Sequence, residues 1–144
     1  MARSSLFLVS LIALMSSSAS AEIGRIKSSV GTATVERGTT HIPASTGQQL
    51  MPGDSLVTGK DGRISLAFVD NTRFAVGPNS RIALSKFDYD ATKQKGSFVT
   101  KVERGSLAVV SGRISKSGRD AMQIQTPESL LGVRGTRFIV EVKP

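Results

Sequence analysis

The sequence predicts an all-β fold, a single domain of many short, mainly antiparallel strands arranged as a curved meander or a sandwich. Turn signals that contain glycine cut the chain between Ile23 and Val142 into short segments. Apolar residues alternate within these segments, as at Ile64, Leu66 and Phe68, which is the period of a strand with one buried face. No window of eleven residues carries a comparable helical stripe.

Strands and turns follow one another along the chain. A strand over residues 55–58 and a second over residues 63–69 are separated by Asp61-Gly62, which is typical of a two-residue hairpin because both positions tolerate positive φ. Glycine and asparagine favour turns for the same reason, and proline favours them because it fixes φ. Further turns are predicted at Asp70-Asn71, Gly77-Pro78-Asn79-Ser80, Arg104-Gly105 and Ser111-Gly112, the last two enclosing a strand over residues 106–110.

Two segments depart from this pattern. The apolar parity switches between residues 82–84 and residues 87–89, which predicts a β-bulge or a bend. Thr126-Pro127-Glu128 predicts a single helical turn before Gly132, since threonine favours the N-cap and proline the first helical position. We expect little other helix and roughly nine to twelve strands.

Residues 1–21 have the layout of a secretory signal peptide. Arg3 precedes an apolar run over residues 6–15, and small residues follow, ending in Ala19-Ser20-Ala21. The apolar run is about half as long as a bilayer span requires, so we expect cleavage before Glu22 and no membrane span afterwards. The predicted product is one domain over residues 22–144. Its lack of cysteine favours the bacterial periplasm over an animal extracellular space.

Glycine-centred motifs follow one another in a recognisable order. Gly53-Asp54-Ser55-Leu56-Val57-Thr58-Gly59 precedes Gly62-Arg63-Ile64-Ser65 and Gly77-Pro78-Asn79-Ser80, and the order closes with Thr126-Pro127 and Val133-Arg134-Gly135-Thr136. This order resembles the FecR-type periplasmic domain family over about residues 24–142. In founding members of that family the domain relays a signal from a ligand-loaded outer-membrane transporter to a sigma factor.

The resemblance implies an exported, non-catalytic β domain used for protein contact in the envelope. The sequence shows no counterpart of the family's cytoplasmic segment, membrane helix and C-terminal lobe, so direct control of transcription is not expected. The motif residues themselves are expected to hold turns, with positive φ at the glycines and with polar side chains bonded to nearby backbone amides. This turn motif comprises Gly53, Asp54, Gly59, Gly62, Gly77, Asn79, Arg134, Gly135 and Thr136, and Asp70 is expected to act in the same way.

Positive charge is concentrated in one stretch of the chain. Residues 22–90 hold eight basic and seven acidic side chains, and residues 120–144 hold three of each, whereas residues 91–119 hold seven basic side chains against Glu103 alone. Strand alternation predicts that the seven lie largely on one outer surface, with Phe98, Val102, Leu107 and Val109 pointing inward. They are Lys93, Lys95, Lys101, Arg104, Arg113, Lys116 and Arg119. Such charges serve either partner binding or solubility and edge protection, and the sequence leaves both open.

The residue inventory argues against an enzyme, a metal site and a bound cofactor. His41 is the single histidine, cysteine is absent, and no Gly-x-Ser-x-Gly motif occurs. Asp88 and Asp90 share a strand face, but the chain has few aromatic residues for a sugar cleft, and Lys93 and Val99 occupy the positions where a calcium loop needs Gly and Glu.

The sequence therefore predicts a binding module that acts by protein–protein contact or signal relay in the periplasm. The alternative is a structural or glycan-associated envelope protein held to peptidoglycan or another surface by its basic face. Nucleic acid is not expected, because the domain is exported and Phe98 is the one aromatic residue of the basic stretch. The expected partner is an envelope protein or an anionic envelope polymer, with the oligomeric state left open.

Overall fold

The structure is a computed structural model that describes residues 21–143. The predicted signal peptide lies outside the described residues except for Ala21. The described chain forms twelve strands and one short helix. The strands are β1 (Gly24–Val30), β2 (Ala33–Arg37), β3 (Thr40–Pro43), β4 (Gln49–Leu50), β5 (Ser55–Thr58), β6 (Arg63–Phe68), β7 (Arg73–Val76), β8 (Arg81–Asp90), β9 (Lys95–Val110), β10 (Met122–Gln125), β11 (Leu130–Val133) and β12 (Arg137–Val142), and the helix is α1 (Arg113–Lys116).

All twelve strands belong to one curled sheet, whose two halves we call sheet A and sheet B. Sheet A has the order β4-β1-β6-β7-β9-β12, and sheet B the order β3-β2-β5-β8-β9-β10-β11. Strand β9 belongs to both, because it pairs with β8 up to Arg104 and with β7 and β12 beyond that point. Within the described residues every pair is antiparallel except β9–β10. The prediction of an all-β domain with a curved, mainly antiparallel sheet is confirmed.

The core lies between the two halves. Four phenylalanines from β6, β7, β8 and β9 pack at its centre, with ring centroids 4.7–5.7 Å apart: Phe68, Phe74, Phe87 and Phe98. The predicted inward positions Val102, Leu107 and Val109 are buried, as are Ile64 and Leu66. Full burial of such a side chain contributes roughly 1.5–3 kcal/mol, so this cluster is the main source of stability.

The segment around Asp61-Gly62 differs from the predicted hairpin. Strand β5 lies in sheet B and β6 in sheet A, so the two do not pair and the segment carries the chain from one half to the other. Gly62 is outside the positive-φ region, and a Cβ there would lie 2.1 Å from the Thr32 carbonyl oxygen. Gly77 is similar, since its Cβ would lie 2.1 Å from Ser106 Oγ. Positive φ was therefore the wrong reason for Gly59, Gly62 and Gly77. Close packing explains two of them, since Gly62 lies against the Thr32 carbonyl and Gly77 against the Ser106 hydroxyl.

Gly105 also differs from its prediction. Arg104-Gly105 does not end a strand, because β9 continues through it and bends from sheet B into sheet A with Gly105 at φ +91°. The bend lies beside residues 59–62 and 77–80, where other strands make the same passage. Hydroxyl groups join these crossings: Thr58 Oγ1 donates to the Gly77 carbonyl at 2.7 Å, and Ser80 Oγ accepts from the Ser106 amide at 3.0 Å. We call this row of crossings the fold line.

Three local predictions have separate outcomes. The bulge in β8 is confirmed by a register shift between Ala83 and Lys86. The turn at Asp70-Asn71 is confirmed, with Asn71 at φ 70°. The helical turn at residues 126–128 is wrong, because this segment is the hairpin loop between β10 and β11, in which Thr126 Oγ1 accepts from the Ser129 amide at 2.9 Å.

Candidate functional site

Helix α1 was not predicted, and a buried carboxylate holds its start. Asp70, in the turn between β6 and β7, is fully buried. Its Oδ2 accepts from the Ile114 amide at 3.2 Å and from Thr72 Oγ1 at 2.8 Å, and its Oδ1 accepts from the Thr72 amide at 3.1 Å. The Asp70 carbonyl accepts from the Arg113 amide at 2.8 Å. One side chain thus fixes the position of α1 against sheet A.

The end of α1 is attached to the hairpin between β8 and β9. Ser117, which follows the helix, accepts through Oγ from the Gly96 amide at 3.4 Å. The hairpin turn is itself ordered by Asp90, whose Oδ1 accepts from the Lys93 amide at 3.2 Å. A Cβ at Gly96 would lie 2.1 Å from the Asp88 carbonyl oxygen and 3.1 Å from Ile114 Cγ1, so glycine permits this close packing. The basic residues of the hairpin and of α1 are thereby brought together.

Four of the seven predicted basic residues line one groove of about 350 Å³, together with Gln94 and Ser117. We call it the basic groove, and its basic residues are Lys93, Lys95, Arg113 and Lys116. All four are exposed, and no carboxylate is part of the lining. Four positive charges at short range create a field that attracts anions, and physiological salt screens it only beyond roughly 8 Å.

The other three predicted residues lie elsewhere. Lys101 and Arg104 stand on the outer face of sheet B in a cluster of mixed charge, where Lys101 Nζ is 4.0 Å from Glu103 and Arg81 pairs with Glu36 at 2.6 Å. The hydrogen bond from Arg81 lowers the pKa of Glu36, and the charges of His41 and Arg104 add to the effect. Arg119 is exposed between α1 and β10. The single basic surface that the sequence predicted is therefore divided. The β8–β9 hairpin and α1 meet and form the basic groove, whereas Lys101 lies six residues beyond Lys95 along β9, outside the groove.

The Arg-Gly-Thr turn packs against the same helix. The Gly135 amide donates to Ser115 Oγ at 3.3 Å, and Ser111 is joined to the turn by its hydroxyl and its amide, which both donate to the Thr136 carbonyl. Gly135 adopts φ +60°, as predicted. Thr136 Oγ1 donates to the Arg137 carbonyl at 3.3 Å, so its side chain bonds a carbonyl where an amide was expected. Arg134 is exposed beside this turn.

Replacing Gly135 by alanine is expected to lower the free energy of unfolding by about 1–2 kcal/mol through the positive φ alone. Steric conflict adds nothing, since the nearest atom to a Cβ would be Lys116 Cε at 3.8 Å. Chemical denaturation measures the loss. Gly118→Ala is the control, because Gly118 lacks a positive φ and has open space around it, and a loss equal to that of Gly135→Ala would contradict the strain argument.

The remaining motif residues have structural positions. Asp54 is fully buried and accepts from the Met51 amide at 2.9 Å and from two nitrogens of Arg37 at 2.9 Å each, which confirms its predicted bond to backbone. The carboxylate raises the pKa of Arg37. Gly53 at φ +88° and Asn79 at φ 52° occupy the left-handed region that their turns require. His41 lies in β3, exposed, 3.6 Å from Glu36.

Sequence reasoning missed an apolar groove on the outer face of sheet A. Small and apolar side chains occupy outward positions in β6, β7, β9 and β12, where polar residues are usual. The groove has a volume of about 920 Å³. Its outward-facing apolar residues are Ala67, Ala75, Ala108, Val110 and Ile139. The sequence does carry a signal for this groove, because alanines alternate with the buried residues of the same strands.

No metal-binding cluster accompanies these surfaces in the described part of the chain. Residues 21–143 hold no group of three or more His, Cys, Asp or Glu side chains placed to bind a metal ion. None of the helices described is long and apolar enough to cross a membrane.

Comparison with known proteins identifies the family. The model of the FecR protein family matches residues 54–144. The chain belongs to the FecR family. The match begins at Asp54. Of the four strands that precede it, β1 pairs with β6 and β2 with β5 of the matched part, while β4 pairs with β1 and β3 with β2. No curated protein matches the chain. A solved structure described as a cell surface anchoring domain is similar, with 29% identity and a TM-score of 0.41 over 42% of this chain and 82% of that one.

Proposed function

We propose that this FecR domain is an exported, non-catalytic binding module of the bacterial envelope, which works in the periplasm by docking its basic groove on the acidic face of a protein partner. The observation that carries the proposal is the convergence of Lys93, Lys95, Arg113 and Lys116 on one groove without a carboxylate in its lining. Membership of the FecR family, whose domains are envelope-associated and non-enzymatic, supports the same function.

The construction of the groove favours binding over solubility as the role of these charges. Solubility needs charges dispersed over the surface, and it does not need a fixed geometry. Here α1 is anchored by Asp70 at one end, by Ser117 on Gly96 at the other, and by Ser115 on Gly135 from the side. Preorganised charges lose less conformational entropy on binding, so anchoring strengthens association with an anionic surface.

Reversing two charges of the groove is expected to abolish most envelope binding. The variant Lys93→Glu/Lys116→Glu replaces two attractive charges by two repulsive ones, and we expect its co-sedimentation with isolated envelopes at low salt to fall at least tenfold. Both side chains are exposed, so the melting temperature should stay within a few degrees of the parent.

Lys60→Glu/Lys86→Glu is the matched control, since it makes the same change of charge at exposed positions outside the groove. Equal loss in both variants would leave net charge as the whole explanation and overturn the proposal. Protease treatment of the envelopes separates the two kinds of partner. Loss of binding after protease supports a protein, whereas full retention would identify an anionic glycan such as peptidoglycan and overturn the protein assignment.

A further inference from the structure

We infer that the apolar groove of sheet A is a second docking site, which takes an acidic amphipathic segment of a protein. The site is separate from the basic groove, because the basic groove lies at the Lys95 end of β9 and the apolar groove at the Val110 end. The inference does not depend on the function proposed above.

Strand register makes the groove a continuous surface. Ser65, Ala75, Ala108 and Ile139 are direct cross-strand neighbours on β6, β7, β9 and β12. The three small side chains form a low floor, and Ile139, 70% exposed, forms a wall beside it. A low floor lets the backbone of a bound segment approach the sheet closely, and the isoleucine offers an apolar anchor.

The charges of the groove decide what kind of segment fits. A second row of neighbours contains Arg73, Val110 and Arg137, so an arginine lies on each side of the exposed Val110, on backbones about 10 Å apart at two strand spacings. Lys27 adds a third positive charge to the lining, which contains no carboxylate. Within residues 21–143 no carboxylate lies within 4.0 Å of either arginine. Glutamates or aspartates of a partner would satisfy these groups.

Two other occupants fit less well. A second copy of this chain would place its own Arg73 and Arg137 against the same residues in a symmetric pair, and like charges in an interface are costly. A lipid surface is contacted best by protruding apolar side chains, whereas three of the five apolar residues here are alanines. An amphipathic peptide combines the apolar contact with the opposite charge.

The test uses a fluorescein-labelled amphipathic peptide of about 18 residues, with Leu and Ala on one side of its helix and Glu on the other. Its counterpart carries Lys in place of Glu. At physiological salt we expect the acidic peptide to bind the parent protein at least tenfold more tightly than the basic one. Arg73→Glu/Arg137→Glu should remove that preference, and Ile139→Glu should weaken binding of the acidic peptide at least tenfold.

Leu130→Glu is the control for Ile139→Glu, because Leu130 is 61% exposed and lies outside the groove. Lys60→Glu/Lys86→Glu should leave peptide binding unchanged, because it reverses two exposed charges that lie outside both grooves. Equal binding of the two peptides, or unchanged binding by Arg73→Glu/Arg137→Glu, would overturn the inference. Concentration-dependent dimerisation that is abolished by Ile139→Glu would assign the groove to a second copy of the chain. Binding to neutral vesicles that equals binding to the acidic peptide, measured by co-sedimentation, would assign the groove to lipid. Either result would overturn the inference as well.

Discussion

Replacing Asp70 by alanine is expected to lower the free energy of unfolding by about 4 kcal/mol, because three buried donors lose their acceptor together. The donors are the Thr72 amide, the Thr72 hydroxyl and the Ile114 amide. Both Asp70 and Thr72 are fully buried, so water does not replace the carboxylate without a rearrangement. Thermal and chemical denaturation measure the loss, which should lower the melting temperature by about 15 °C.

Asp88→Ala is the matched control for Asp70→Ala. It removes the same charge from an exposed residue of β8, and its effect should stay within about 0.5 kcal/mol. Since Asp70 also positions α1, Asp70→Ala should weaken envelope binding through the basic groove even at temperatures where the protein is folded. A small loss of stability, comparable with that of Asp88→Ala, would show that the carboxylate does not anchor the helix.

Much of the fold could be predicted because strand alternation is a local property. The inward positions Phe98, Val102, Leu107 and Val109 follow from a period of two, and the bulge in β8 follows from the change of parity. The pairing of strands could not be predicted in this way. Asp61-Gly62 has the composition of a hairpin turn. Whether this segment joins two paired strands or carries the chain from one sheet to the other depends on residues remote in sequence, such as Thr32.

The candidate site could be predicted only in part. The count of basic residues in residues 91–119 identified the stretch that holds all four basic residues of the basic groove, because charge is read directly from the sequence. Its division into the basic groove and the mixed cluster depends on the anchoring of α1 by Asp70 and Gly96, which no local pattern reveals. The groove of sheet A depends on the register that places Ala75 beside Ala108 and Ala108 beside Ile139. Register is set by the whole sheet.

Replacing Gly105 by alanine is expected to destabilise the protein about as much as the loss of Asp70. Gly105 is the point where β9 passes from sheet B to sheet A, at φ +91°. A Cβ there would lie 2.1 Å from Ser80 Oγ and 2.5 Å from Ser80 Cα, and Ser80 is itself fully buried. Backbone strain of about 1–2 kcal/mol and overpacking of about 1–3 kcal/mol or more act together. We expect a loss of about 3–5 kcal/mol in chemical denaturation.

Gly47 provides a control that separates the two causes, because it has nearly the same φ, +88°, and nothing within 4 Å of a Cβ. Gly47→Ala should therefore show the cost of positive φ alone, about 1–2 kcal/mol, and the difference between the two variants measures the steric conflict at the fold line. Equal losses would mean that β9 and Ser80 separate without cost. In that case the positive φ alone would explain the glycine at position 105.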